Sequence, residues 1–456
     1  MESLPPEIVS AVAEELEHLN LPDISYSHFT EISGIRSDHR IWRTYTSASK
    51  EDILNFRLVC RKCYSASFKS FGKILGDRTF HLTKQSLEDL QSISEVTELV
   101  PYIWTMTFGN ARFGSDVARG KEFLRRAHDT GIRDQLTSSY HERYMCSLTD
   151  DALLSLTTTL LVFPNLQNFR LVEDNSSIKN PYSLGIWLRP SDVEELASAR
   201  SLVSSYEAGD LMRNTCSNIG SYIFRILFEA LLEAGRTIHD LRVEPAFFRN
   251  CIQELPLHSG VFSKLQVLHL HVEHTHFYTD NTTAGPQQVQ NILKMAPQLS
   301  SLFLNMTSMI SDLTLLLSTT GIMLETLSTN SHIRHIFLRG QWTFTEDQLA
   351  TFIISHASTL QTLILDKPLL HSGTWHSFIT KLLHSELPNM KHIDIVRPAE
   401  FTSYMFLGNS RPGIHFPILL ASDFEPLSAG ITYSLEIRTQ KSNYTLGSTN
   451  NISALS

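Results

Sequence analysis

The chain is poor in cysteine, short of positive charge, and without any long apolar run or phosphate-cradling glycine spacing. Only five of its 456 residues are cysteine, at 60, 63, 146, 216 and 251. A secreted disulfide scaffold carries an even and denser set, so a reducing compartment, cytoplasm or nucleus, is expected. Lys and Arg number 38 against 47 Asp and Glu, a formal charge of −9 with a pI near 6.1. Neutralising a phosphate backbone needs the opposite balance, so nucleic acid is not an expected partner. No segment approaches the roughly 18 uncharged apolar residues of a spanning helix. The opening MESLPPEIVSAVAEELEHL has neither a basic n-region nor an apolar h-region, so no membrane or secretory role is expected. The Asn-x-Ser/Thr sequons at Asn281, Asn305, Asn443 and Asn451 then read as chance matches.

Catalytic signatures are missing as well. Neither G-x-x-x-x-G-K-[ST] nor G-x-G-x-x-G occurs, there is no G-x-S-x-G elbow, and HERY at 141 lacks the second histidine of H-E-x-x-H. No catalytic residue, metal or cofactor is expected. What the chain does have is a 42% hydrophobic content, enough for a substantial core, arranged in two rhythms.

The first rhythm is helical. Leu4, Ile8, Val12, Leu16 and Leu19 recur at steps of three or four, with Glu7, Glu14, Glu15 and Glu17 on other faces. Pro5 and Pro6 suit a first turn, whose N–H groups have no intrahelical acceptor, and Ser3 is a candidate cap. A helix over 4–19 is expected, followed by a loop or lid over 20–50. Periodicity returns in DILNFRLVCRKCYSASFKSFGKIL, residues 52–75, where Ile53, Leu54, Leu58, Val59 and Cys63 fall on or beside one face before Phe68, Phe71 and Leu75. Two successive helices are expected. Between 56 and 73 the charged residues Arg57, Arg61, Lys62, Lys69 and Lys73 are all basic, which reads as a local positive patch or as an ordinary solvated helix face.

LPPEIVSAVAEEL followed by DILNFRLVCRKCYSASF resembles an F-box, whose pattern is Leu-Pro-x-Glu-Ile, an apolar helix, then an Asp-Leu-type entry into a helix with Leu-Val-Cys-Arg. The matching positions are Leu4, Pro5, Glu7, Ile8 and Leu16, then Asp52, Leu54, Leu58, Val59, Cys60 and Arg61. The resemblance implies a three-helix module that docks the Skp adaptor of cullin-based ubiquitin ligases. It implies adaptor-binding roles for Leu4, Pro5, Ile8, Leu16, Leu54, Leu58, Val59, Cys60 and Arg61, with the basic patch assisting. The sequence departs from the family in separating the two halves by about 30 residues, a length a surface loop absorbs at modest entropic cost.

The second rhythm places apolar residues first, fourth and sixth in a six-residue phrase. Its best copies are LQNFRL at 166, LQVLHL at 265, LSSLFL at 299 and LQTLIL at 360; weaker ones are IWTMTF at 103, IHDLRV at 238, IRHIFL at 333 and MKHIDI at 390. FPN, FSK, APQ and LPN precede four of them. From Val243 to Ile395 the sixth-place residues are about 27 to 34 apart, with helix-like stretches such as PQQVQNILKMAP and TEDQLATFIISHAS between. L-x-x-L-x-L is the strand core of leucine-rich repeats, whose units bury their leucines only by stacking. The asparagine that usually follows the strand is mostly missing, Asn305 being the immediate match. The pattern resembles irregular fungal-type F-box proteins.

The fold class expected is therefore α/β: short all-α F-box helices followed by an irregular leucine-rich-repeat-like α/β solenoid. The divisions are 1–75 (F-box-like, with its insertion at about 20–50), 76–400 (repeats, with an insertion or degenerate repeat between 171 and 243), 401–440 and 441–456. GIHFPILLASDFEP and ITYSLEIRT are expected to cap the array as a strand pair, and the last segment to be a disordered tail. Alternating residues of the repeat strands face outward. Arg170, His269, Phe303, His335, Phe337 and Asp394 are the candidates for contact with a protein partner.

Two clusters invite metal or redox chemistry. His269, His271, His274 and His276 fall within one phrase and its exit, but strand alternation accounts for them, with His269 on the exposed face. Cys60-x-x-Cys63 has no second cysteine pair for zinc and no strand leading into its helix for a thioredoxin-like site. The reading favoured is a non-enzymatic substrate-recognition subunit of a cullin-type ubiquitin ligase, docking Skp through 1–75 and a target protein through the repeats. The alternatives are a repeat scaffold outside ubiquitin chemistry and a metal-dependent or other enzyme.

Overall fold

The computed structural model describes residues 4–20, 44–82, 84–109, 150–172, 223–243, 259–274, 284–308, 313–340, 342–396, 398–406, 409–415 and 434–438. It divides into two compact units, Met1–Met309 and Ile310–Ser456. The loop expected over 20–50 lies largely outside the described residues, as do most of the 171–243 gap, His276 and the tail.

All eight phrases enter strands, and the reason is visible in their burial. First-, fourth- and sixth-place residues such as Ile103, Met106 and Phe108, or Leu360, Leu363 and Leu365, are buried in every copy. The turn before the phrase is equally regular. Leu166, Leu265, Leu299 and Met390 donate their N–H groups to the carbonyls of Phe163, Phe262, Ala296 and Leu387, three residues back and themselves buried. The FPN, FSK, APQ and LPN approaches are thus tight turns whose first residue is a core side chain. The second place then starts the ladder. Gln167 N–H donates to Trp104 O, His239 to Gln167, Gln266 to His239 and Ser300 to Gln266, at 3.1, 2.8, 2.9 and 2.9 Å.

In the first unit, α1 (Pro6–Glu15), β1 (Leu19–Asn20), β2 (Thr44–Tyr45), α2 (Ser47–Val59), α3 (Arg61–Ala66) and α4 (Phe68–Leu75) precede β3 (Thr79–Phe80) and α5 (Lys84–Ser94). Then follow β4 (Thr105–Gly109), α6 (Asp150–Val162), β5 (Asn168–Val172), the helix α7 over 223–233, β6 (Asp240–Val243), α8 (Ser259–Phe262), β7 (Val267–His274), α9 (Ala284–Met295) and β8 (Ser301–Ser308). Strands β3 to β8 pair in chain order, every pair parallel. Parallel neighbours require a crossover, which the intervening helices supply.

The second unit holds α10 (Leu313–Ser328), β9 (His335–Gly340), β10 (Thr343–Thr345), α11 (Glu346–Ser355), β11 (Thr362–Asp366), β12 (Leu369–Ser372), α12 (Trp375–Leu383), β13 (His392–Val396), β14 (Ala399–Phe406), β15 (Asn409–His415) and β16 (Ser434–Arg438). β9, β11, β13 and β16 form one parallel set, and β10, β12, β14 and β15 a second sheet. The protein is therefore a mixed α/β chain built on parallel strands.

Several expectations change. Residues 52–75 form parts of three helices rather than two, because the chain breaks at Cys60, whose backbone is extended, and again at Ser67, which leaves helical geometry between α3 and α4. Among the described residues, GIHFPILLASDFEP and ITYSLEIRT do not pair with each other. The first contributes to β15, antiparallel to β14, and the second to β16, parallel to β13. The second sheet was not foreseen. Its first strands have three and four residues, and a glycine of positive φ, Gly373 (88°), leads from β12 to α12. A β-carbon at Gly373 would collide with the Glu346 side chain.

Candidate functional site

The N-terminal helices are assembled around a small core. Val9 and Ala13 of α1 meet Phe56 of α2 and Cys63 of α3, with Val12, Leu16, Cys60 and Ala66 packed around them. Pro6 occupies the first turn of α1, and the Thr46 side chain caps α2 by accepting from Ser49 N–H. The acidic side of α1 then meets the basic run. Lys69 pairs with Glu14 and Lys73 with Glu17, each at 2.7 Å, and Lys62 donates to Leu4 O. The hydrogen bond and charge of Lys69 hold the Glu14 carboxyl below its ordinary range. Arg57 goes inward, with its guanidinium 4.3, 5.0 and 4.0 Å from the ring centroids of Tyr64, Phe68 and Phe71 and a hydrogen bond to Ser67 Oγ. Arg57, Lys62, Lys69 and Lys73 therefore hold this N-terminal region together, a role that neither of the two sequence readings, a positive patch or a solvated helix face, included. Arg61 remains exposed.

With that core satisfied, one set of apolar side chains is left over. Leu4 is 38% exposed, Ile8 50%, Leu54 47%, Leu58 83% and Val59 60%. Leu54 and Leu58 are spaced i, i+4 on α2, so that pair lies along one helix face, while Leu4 stands just before the first turn of α1, which carries Ile8. Pro5 is exposed beside them. Tyr64, 43% exposed, was not picked out by the sequence. Leu16 and Cys60 turn the other way, against the core.

The helices are tied to the sheet of their own unit through Asp77. Its carboxylate accepts from Tyr45 N–H at 2.6 Å and pairs with Lys50 and with Arg170 of β5, the last at 2.9 Å. α4 also closes on the turn that leads into β4: a β-carbon at Gly72 would lie 2.5 Å from Tyr102 O, so only glycine permits this approach.

The repeat-strand candidates fall into register rows. Arg170, Arg242, His269 and Phe303 stand side by side across β5 to β8, and in the second unit Phe337, Ile364 and Asp394 do so across β9, β11 and β13. His335 is exposed, while Arg170, Phe303 and Phe337 are half-buried. His269 and Asp394, expected on an exposed face, are buried, at 5% and 0%. Parallel strands set in-register side chains about 4.8 Å apart, close enough to cover one another. Thus the His269 ring lies 3.8 Å from that of Phe303 and 5.7 Å from that of His271. Burial, with the nearby His271 and Arg242, holds the His269 imidazole well below its ordinary pKa, so it is neutral. Asp394 sits on β13, which has β11 on one side and β16 on the other.

A groove of about 760 Å³ between α10 and α11, lined among others by Gly321, Ile322, Glu325, Asp347, Gln348 and Thr351, contains none of the predicted residues. Among the described residues, no three His, Cys, Asp or Glu side chains gather as a metal site, and no helix is long and apolar enough to cross a membrane. Neither a family model nor a curated protein matches the chain.

Proposed function

We propose that the chain is a substrate-recognition subunit of a cullin-based, SCF-type ubiquitin ligase, acting in cytoplasm or nucleus. The F-box-like helices dock a Skp-type adaptor, and the strand–helix units, read as an irregular leucine-rich-repeat-like solenoid, present a protein target. The observation that carries the reading is the leftover apolar set. Leu4, just before α1, Ile8 of α1, and Leu54, Leu58 and Val59 of α2 are motif positions of the F-box resemblance, and they are large apolar residues that the core of these helices does not cover. Burying five such side chains against a partner provides several kcal/mol of drive at roughly 25 cal/mol per Å².

The chain supplies no catalytic group in this scheme. It raises the effective concentration of target lysines near a recruited conjugating enzyme. Arg170, Phe303, His335 and Phe337 keep surface with which to contact a target; His269 and Asp394 act by shaping the face. The test is co-purification from cells: the wild type retains Skp and cullin, and a Leu4→Ala/Pro5→Ala double variant does not. A wild-type chain that never retains the adaptor, while still capturing other proteins, would instead favour a repeat scaffold.

A further inference from the structure

Cys60 closes α2 and opens α3 with extended backbone, φ −164° and ψ 168°, and its Sγ accepts from Cys63 N–H at 3.5 Å. A cap side chain folded back over the first turn brings its sulfur toward the third residue of the helix. The two Sγ atoms are 3.4 Å apart. Bonded sulfurs are separated by about 2.05 Å, so closing the pair requires a shift of only about 1.4 Å, within reach of small side-chain rotations. Sequence alone argued against redox chemistry because no strand leads into this helix; the cap geometry produces the proximity by another route. Access differs between the two thiols. Cys60 is half-buried and Cys63 fully buried. Burial pushes the Cys63 thiol up, with the hydrogen bond and charge of Cys60 adding to the effect. Cys60 is therefore the sulfur that a small oxidant meets first.

We propose that Cys60 and Cys63 form a modification site, a dithiol that hydrogen peroxide converts to an intramolecular disulfide. The Cys60 thiolate attacks one peroxide oxygen; an S–O bond forms, the O–O bond breaks, and the departing hydroxide takes up a proton as water. The Cys63 sulfur then attacks the Cys60 sulfenic acid, losing its proton as the S–S bond forms and the S–O bond breaks, and a second water leaves. Two thiols together lose two electrons, and one peroxide becomes two waters. Because the resolving sulfur is already in contact, the second step competes with further oxidation of Cys60. The bond would fix the α2–α3 corner that directly follows Leu58 and Val59.

The sequence provides the assay. Arg61 and Lys62 separate the cysteines, so tryptic cleavage of the full-length protein leaves Cys60 in LVCR and Cys63 in CYSASFK. After stoichiometric peroxide and blocking of remaining thiols with N-ethylmaleimide, the two peptides should be recovered joined, and dithiothreitol should separate them. A Cys63→Ala variant should accumulate a dimedone-reactive sulfenic acid at Cys60. The proposal is overturned if the wild-type peptides are recovered apart, whether alkylated or over-oxidised, or joined to Cys146, Cys216 or Cys251. That readout is taken on the wild type, so it stands even if the variant fails to fold.

Discussion

His269 ties stability to pH in a way that can be measured. In the folded chain its ring is buried, close to Phe303 and near His271 and Arg242, and is held neutral well below the ordinary imidazole pKa. In the unfolded chain it titrates near 6.5. As pH falls below that value the unfolded state binds a proton that the folded state refuses. Stability is therefore fully present above about pH 6.5 and is lost as pH falls toward the folded pKa. Between the unfolded and the folded pKa, each pH unit shifts the equilibrium by up to about tenfold. Replacing His269 with Phe keeps a ring beside Phe303 and removes the titration. Thermal unfolding midpoints of wild type and His269→Phe should be compared at pH 7.5, 6.5, 5.5 and 5.0. The wild type should lose more stability than the variant across the acidic steps, the gap opening only below about pH 6.5. Parallel pH profiles would refute the reasoning, because carboxylates and other histidines contribute equally to both proteins.

Phe56→Ala should destabilise the N-terminal helices by about 3–5 kcal/mol, whereas Leu58→Ala, two residues on but facing outward, should change stability by less than about 0.5 kcal/mol; chemical unfolding followed by circular dichroism distinguishes them. Leu363→Ala removes a fully buried strand residue and should cost about 2–5 kcal/mol, lowering the melting temperature in calorimetry. Glu346 accepts from Thr374 N–H and Ser377 Oγ and pairs with Lys381. Glu346→Ala should therefore loosen the start of α12, with a loss of about 1–3 kcal/mol and faster amide exchange at Thr374, while Trp375, whose N–H donates to Glu400, should be less affected.

The parallel strands were legible because a strand buried on one side repeats its need for apolar residues, and eight phrases repeated it. The second sheet was not, since TFT and LLHS are too short to show any period. Around α1 the sequence displayed the stripe of Leu4, Ile8, Val12 and Leu16, but Val9 and Ala13 form the fully buried contact. A helix with two apolar stripes does not declare which one its own fold will use. Arg57 reads as surface charge, and only the placement of Tyr64, Phe68 and Phe71 on later helices draws it inside. The break at Cys60 carries no glycine or proline signal; it follows from a side chain capping the next helix. His269 and Asp394 obey strand alternation and are buried all the same, because burial on the outward face depends on neighbouring strands that local sequence does not specify.

The most direct test of the account is titration calorimetry of the purified full-length chain against a purified Skp-type adaptor, with Val59→Asp as comparison. The account predicts a saturable one-to-one isotherm for the wild type and none for Val59→Asp, with the two proteins sharing the same melting temperature. Absence of binding by a folded wild type, or equal affinity in Val59→Asp, would contradict it.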